Sequence, residues 1–299
     1  MTRRTCYQML RQKLEQAGLE DAAYTAQLLL EHVTGLAMPA YLVHGEEPLS
    51  PTQLEQLQQL TAKRLTGYPL QYLLQSWEFY GLELSVGEGV LIPRQDTETI
   101  VEFALSCRNG QPTTRLLDLC SGSGCIPLAI AAHLPGVTAT AVEYAPDALH
   151  YLTKNIQRYP AYSIQPIQGD AMDPALAAAQ ESFDLITCNP PYLTETDMQQ
   201  LQREVTFEPA SALYGGSDGL DYYRRLTAIW SKKLLPGGWL IYEIGKGQEA
   251  PVTDLLRQAG LTHLTQKQDG SGIVRLVAGQ ADSRKDCIWQ KTVSYTHLT

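Results

Sequence analysis

Leu116-Leu117-Asp118-Leu119-Cys120-Ser121-Gly122-Ser123-Gly124-Cys125-Ile126 changes character halfway along its length. The apolar run broken by one acid reads as a buried strand, Gly122 and Gly124 read as a turn, and the apolar residues of 126–133 read as a helix. Glycine in such a turn lets backbone approach a ligand closely, at the carboxyl end of a strand where open parallel sheets bind nucleotides. A dinucleotide fingerprint would carry a third glycine at position 127, where Pro127 stands instead. Asp118 just before the loop is a poor neighbour for a pyrophosphate and a good one for a cation.

Outward from this stretch the chain alternates strand and helix. Strand patterns at 116–119, 138–143, 163–167, 183–188 and 239–244 are separated by helical patterns at 126–133, 147–157 and 222–234, with another helix at 248–258. The alternation predicts an α/β fold with an open, mostly parallel sheet covered on both faces. The last two runs, 262–268 and 273–278, are joined by Asp269-Gly270-Ser271-Gly272, a hairpin signal, so one strand is expected antiparallel at or near the edge. Glu143 ends the second strand, where a carboxylate can accept both ribose hydroxyls, and Asp170 follows the third, within reach of an adenine amino group. Acids at three successive strand ends suit S-adenosylmethionine, which carries an amino group and a sulfonium. The fourth strand runs into Asn189-Pro190-Pro191-Tyr192. Two prolines fix their own φ and restrain the residue before each, so this loop is stiff enough to aim Asn189 and one carbonyl at a ligand.

Upstream, residues 6–74 are helical in pattern. Leu10, Leu14 and Ala17 are spaced by four and three, Ser50-Pro51-Thr52-Gln53 offers a capping box with proline in the first turn, and Leu54, Leu57 and Leu60 line one face. The alternating Trp77-Glu78-Phe79-Tyr80-Gly81 stretch predicts a β-hairpin linker over 75–90. Val90-Leu91-Ile92-Pro93-Arg94 follows, with Asp96 or Thr97 placed to cap the next helix. The domains expected are thus a helical one over 1–74, the linker, a catalytic one over 91–280 and an unstructured tail over 281–299. The end of that tail, 293–299, reads as translated adapter sequence.

A chain of 299 residues with 44% apolar and 18% charged residues can bury a full core. The formal charge of −9 argues against general binding to nucleic acid or membrane surfaces. Six cysteines without a CxxC pair or a histidine at zinc spacing point to a reduced, cytoplasmic protein with no metal site. No segment has the apolar length of a signal peptide core or a membrane span.

The loop 118–124, Glu143, Asp170 and Asn189-Pro190-Pro191-Tyr192 resemble the class I methyltransferases that alkylate planar nitrogens. More narrowly, 67–72, 77–81, 90–94, 208–216 and Glu243-Ile244-Gly245 are similar to the HemK/PrmC family, and the likeness covers about residues 7–279. The resemblance implies a Rossmann-like, seven-stranded, mostly parallel sheet with one antiparallel strand, plus a small helical N-terminal domain that binds release factors. It implies transfer of a methyl group from S-adenosylmethionine to the glutamine side-chain nitrogen in the Gly-Gly-Gln motif of class I peptide chain release factors. The cofactor contacts so implied are Asp118, Cys120, Ser121, Gly122, Ser123, Gly124, Glu143, Asp170, Ala171 and Asn189. Asn189 and the Pro190 carbonyl would take the two amide N–H groups, Pro191 would stiffen the loop, and Tyr192 would pack on the amide plane. Phe79, Tyr80 and Arg94 would shape the pocket rim. Cys120 stands where the family usually has glycine, Gln95 where it has proline and Glu143 where aspartate is common. The rival expectations are an adenine-N6 methyltransferase on DNA or RNA, and a non-catalytic scaffold for a release factor.

Overall fold

The computed structural model describes residues 1–37, 40, 43–108 and 110–283. They form two compact units, one of residues 1–77, 86–88 and 202–207, the other of 78–85, 89–201 and the chain from 208 onward. Most of the expected tail, 284–299, lies outside the described residues.

In the first unit, α1 (Arg3–Gln16), α2 (Ala22–Thr34), α3 (Pro51–Leu65) and α4 (Leu70–Leu74) surround one core. The three- and four-residue spacings put Leu10, Leu14, Leu29, Leu30, Leu57 and Leu73 inside it, each worth about 1.5–3 kcal/mol on burial. Ser50 and Gln53 complete the reciprocal capping box, with Pro51 in the first turn. Arg64 is buried, and a buried guanidinium is costly unless paired. It pairs with Glu204 at 2.6 Å and Asp21 at 3.7 Å, while Tyr68 meets Phe207 edge-on at 5.3 Å. These contacts explain why 202–207, far downstream in sequence of the rest, belongs to the helical unit.

The hairpin strands are β1 (Ser76–Phe79) and β2 (Leu82–Ser85). The main sheet has β3 (Thr114–Leu119), β4 (Val137–Glu143), β5 (Ser163–Gln168), β6 (Phe183–Cys188), β7 (Leu234–Glu243), β8 (Thr262–Gln268) and β9 (Val274–Gln280) in the order β5-β4-β3-β6-β7-β9-β8. Pairings from β5 through β7 are parallel, and β9 runs antiparallel between β7 and β8, one strand in from the edge. Strand periodicity divides the apolar residues between two faces. Leu116, Leu185, Ile241 and Leu276 pack with α5 (Glu98–Arg108) and α6 (Cys125–His133). Their neighbours Leu117, Ile186, Leu240 and Val277 pack on the other face. There they meet α10 (Asp221–Trp230) and α11 (Glu249–Gln258), through residues such as Trp230 and Leu256. Helix α7 is Pro146–Arg158, and two short helices without a clear sequence signal, α8 (Pro174–Ala178) and α9 (Glu195–Met198), lie in the connections.

Two boundaries move by more than two residues. The helix expected to reach 234 ends at Trp230, and β7 begins at Leu234 rather than at 239. Pro236-Gly237-Gly238 is absorbed by a bulge, where pairing jumps from Phe183–Leu234 to Leu185–Trp239. The chain winds from β3 outward to β5, then returns to β6 on the other side of β3. That reversal opens a crevice at the carboxyl ends of β3 and β6.

Candidate active site

A cavity of about 310 Å³ fills this crevice. One wall is the glycine turn. Ser121 N–H donates to the Val142 carbonyl at 3.0 Å and Gly124 N–H to the Ser121 carbonyl at 2.8 Å, closing the turn against β4. Gly124 has φ +81°, which any side chain would strain, and a Cβ there would stand 2.6 Å from Leu152 Cδ1 of α7 and push that side chain aside. Cys120 also adopts a left-handed φ of 56°, a conformation that glycine takes without strain.

Glu143 lines the same wall and is buried. Its Oε2 accepts from Gly122 N–H and its Oε1 from Ala145 N–H, both at 2.8 Å. Burial raises its pKa and those two N–H groups pull it partly back. Each oxygen keeps a second lone pair for a ligand hydroxyl. Asp170 is exposed on the lining, with Oδ1 accepting from Met172 N–H at 2.8 Å, and Ala171 lies beside it.

Asn189 and Pro191 form the opposite wall together with Arg94, Thr97, Pro209 and Ser211. The prolines are not the sole source of this loop's stiffness. Leu193 N–H donates to the Leu213 carbonyl and Gly215 N–H to the Leu193 carbonyl, both at 2.8 Å. Gln248 Nε2 donates to the carbonyls of Tyr192 (3.0 Å) and Gly219 (3.2 Å). At Gly215 a Cβ would fall 2.6 Å from the Pro191 carbonyl oxygen, so backbone presses on backbone. Arg94 is held by buried Glu208, which also accepts from Ile92 N–H at 3.0 Å.

The expected site residues separate into two groups. Cys120, Ser121, Gly122, Ser123, Glu143, Asp170, Ala171, Asn189, Pro191 and Arg94 line the cavity. Asp118, Gly124, Pro190, Tyr192, Phe79 and Tyr80 do not. Asp118 is fully buried beneath the loop, where Oδ1 accepts from Thr187 Oγ1 at 2.7 Å and Oδ2 has no hydrogen-bond partner among the described residues. Burial pushes its carboxyl up to about 7, against the lowering effect of Thr187. The partly buried Tyr192 ring packs against the core cluster on one face of the sheet and lies beside Gly245. Phe79 is corrected from rim to core, buried with Ile100 and Val101, and Tyr80 turns its ring edge-on to His133 at 4.9 Å. Thr97 is no helix cap. Its Oγ1 donates to Glu243 Oε2 at 2.6 Å and accepts from Asn189 Nδ2 at 3.5 Å. Glu243, also buried, is pushed up to about 7 by burial, against lowering by Thr97 and Arg275. Sequence reasoning registered Glu208 and Glu243 only as parts of family-like segments; an acid inside an apolar strand was the available signal for Glu243.

A seven-stranded sheet with this reversal, a glycine turn after its first strand and acids after the next two defines a class I methyltransferase. The methyltransferase domain model matches residues 116–206 and the PrmC N-terminal domain model matches 6–74. The release factor glutamine methyltransferase of Geobacter sulfurreducens is 39% identical over 268 residues, covering 89% of this chain and 92% of that protein. That of Bordetella pertussis is 38% identical over 254 residues, covering 85% and 93%. The chain belongs to the release factor glutamine methyltransferase family. Among solved structures, human methyltransferase 10 domain containing protein aligns with a TM-score of 0.51 at 20% identity, covering 67% of this chain and 88% of that one. A methyltransferase from Pyrococcus furiosus aligns with a TM-score of 0.51 at 14% identity, covering 78% and 100%. These two share the fold.

Proposed function

We propose that this protein transfers a methyl group from S-adenosylmethionine to the side-chain nitrogen of the glutamine in the Gly-Gly-Gln motif of class I peptide chain release factors. The observation that carries this reading is the presence of Asn189 on the same cavity as Gly122, Glu143 and Asp170. The names of the relatives support the choice of a release-factor glutamine over a nucleobase. The acid-bearing wall suits a cationic ligand bearing hydroxyls, since Glu143 and Asp170 both line the cavity. When bound, S-adenosylmethionine supplies an electrophilic methyl group.

An amide nitrogen is a poor nucleophile because its lone pair is delocalised into the carbonyl, so the protein's contribution is positioning. Asn189 Oδ1 takes one amide N–H and orients the nitrogen; Pro190, whose carbonyl the resemblance assigns to the other N–H, does not line the cavity and is given no contact. The same acceptor stabilises positive charge as the N–C bond forms. The extra proton on nitrogen then leaves to solvent, so no side-chain base is assigned. The helical unit built on residues 1–74 is assigned to grip the release factor.

Incubation with methyl-labelled S-adenosylmethionine, release factor and, separately, DNA or RNA tests this. Label in release factor supports it, label in nucleic acid replaces it with the adenine reading, and absence of cofactor binding in a titration replaces it with a scaffold role.

A further inference from the structure

Thr97 and Glu243 take no part in the contacts assigned above, yet they stand directly behind Asn189. Both are about 2% exposed. They come from distant parts of the chain, the turn before α5 and the last residue of β7. Their hydroxyl–carboxylate bond measures 2.6 Å, and Asn189 Nδ2 reaches the same hydroxyl at 3.5 Å. The surroundings do not compete for that hydroxyl. Arg275 is paired with Asp96 at 3.2 Å and Asp269 at 3.0 Å, and Arg94 with Glu208.

A carboxamide has two ends of nearly equal shape and opposite polarity, and a methyl-transfer site that accepts an N–H needs the oxygen end. A threonine hydroxyl has one proton and two lone pairs. Burial raises Glu243 to about 7; in its ionised form, which prevails above that pH, Glu243 can only accept, so it takes that proton and leaves Thr97 facing Asn189 with lone pairs alone. The Asn189 NH₂ is then the only end that fits against Thr97, and Oδ1 is left for the cavity. Were the Thr97 proton free to turn, it could serve Oδ1 equally well. The flipped amide would then present donors to a donor, which a buried site tolerates poorly.

We infer that Thr97 and Glu243 are positioning residues that fix which end of the Asn189 carboxamide faces the substrate. The inference rests on the reading of Asn189 as the acceptor of the substrate amide. It goes beyond that reading in assigning a two-residue relay, with its polarity set by Glu243, to a position that sequence alone reads as a helix cap.

The test compares Thr97→Val, Thr97→Ser, Glu243→Gln and the double variant Thr97→Val/Asn189→Ala in full-length protein. Thr97→Val removes the hydroxyl at nearly constant shape and is expected to lower kcat about tenfold, the scale of one lost orienting hydrogen bond, with the KM for S-adenosylmethionine within about twofold. Thr97→Ser recovers the rate to within about twofold, and the double variant is no slower than Asn189→Ala by more than about twofold, because Thr97 acts through Asn189. An unchanged kcat in Thr97→Val, or a double variant slower than Asn189→Ala by the full tenfold, would overturn the relay. A second readout needs no turnover: the side-chain amide resonances of Asn189 in ¹⁵N–¹H spectra, identified by their loss in Asn189→Ala. They are expected to shift in both Thr97→Val and Glu243→Gln; resonances unmoved by either variant contradict the relay. If the wild-type protein methylates no glutamine, the functional reading falls, and these spectra still decide the relay on their own.

Discussion

The two walls of the cavity are assembled in opposite ways. On the cofactor wall, the glycine turn, Glu143 and Asp170 each sit at or just past the end of a strand, and neighbouring strands bring them together. On the acceptor wall, Asn189 also follows a strand, but what holds it comes from 92 residues upstream in Thr97, and its loop is pinned by Gln248, 56 residues beyond Tyr192. The first wall is a product of topology, and the second depends on long-range contacts between loops. Damage to the first should therefore appear in cofactor affinity, and damage to the second in turnover.

Asn189→Ala should have the largest effect, lowering kcat by about two to three orders of magnitude while the Kd for S-adenosylmethionine stays within several-fold. Calorimetric titration beside steady-state kinetics separates the two quantities. Gly215→Ala comes next. Its Cβ meets the Pro191 carbonyl oxygen and the Tyr192 Cα, both at 2.6 Å, and backbone on both sides leaves no flexible atom to yield. A loss of about 2–3 kcal/mol in stability is expected, accompanied by reduced turnover, readable by denaturant unfolding. On the opposite wall, Glu143→Gln places an amide where two N–H groups need acceptors, and should raise the Kd for S-adenosylmethionine about tenfold with a smaller change in kcat. A Glu143→Gln variant that lost kcat alone would erase the distinction between the walls.

The last expected effect concerns pH. Asp118 is raised from 3.8 to about 7 by burial, so between those values the folded state holds a proton that the unfolded chain has released. Its contribution to stability is full below the unfolded value, falls as pH rises through the window and is lost above about 7. Asp118→Asn should flatten the fall in Tm between about pH 4 and about pH 8, measured without cofactor.

This difference between the walls also explains what could be read from the sequence. Period-two and helical patterns located the central strands because these bury apolar residues on both faces, as Leu116 and Leu117 do. Glu143 and Asp170 were legible because a strand end points to the crevice wherever the sheet is parallel. Phe79 and Tyr80 misled because aromatic residues beside a rim loop in sequence need not face it, and a four-residue strand directs Phe79 into the core. Thr97 misled because a polar residue before a helix fits capping and a buried bond to Glu243 equally well, and only the three-dimensional meeting with β7 decides. The bulge at Pro236 was hidden because proline and paired glycines mark a chain break as readily as a bulge.

The central claim is that Asn189 presents a protein glutamine to the methyl donor. The most direct measurement is tandem mass spectrometry of a class I release factor after incubation with S-adenosylmethionine and either wild-type protein or Asn189→Ala. The account predicts one added methyl group on the glutamine of the Gly-Gly-Gln peptide with wild type, and almost none with Asn189→Ala over the same interval. A methyl group on another residue, or equal modification by both proteins, would contradict it.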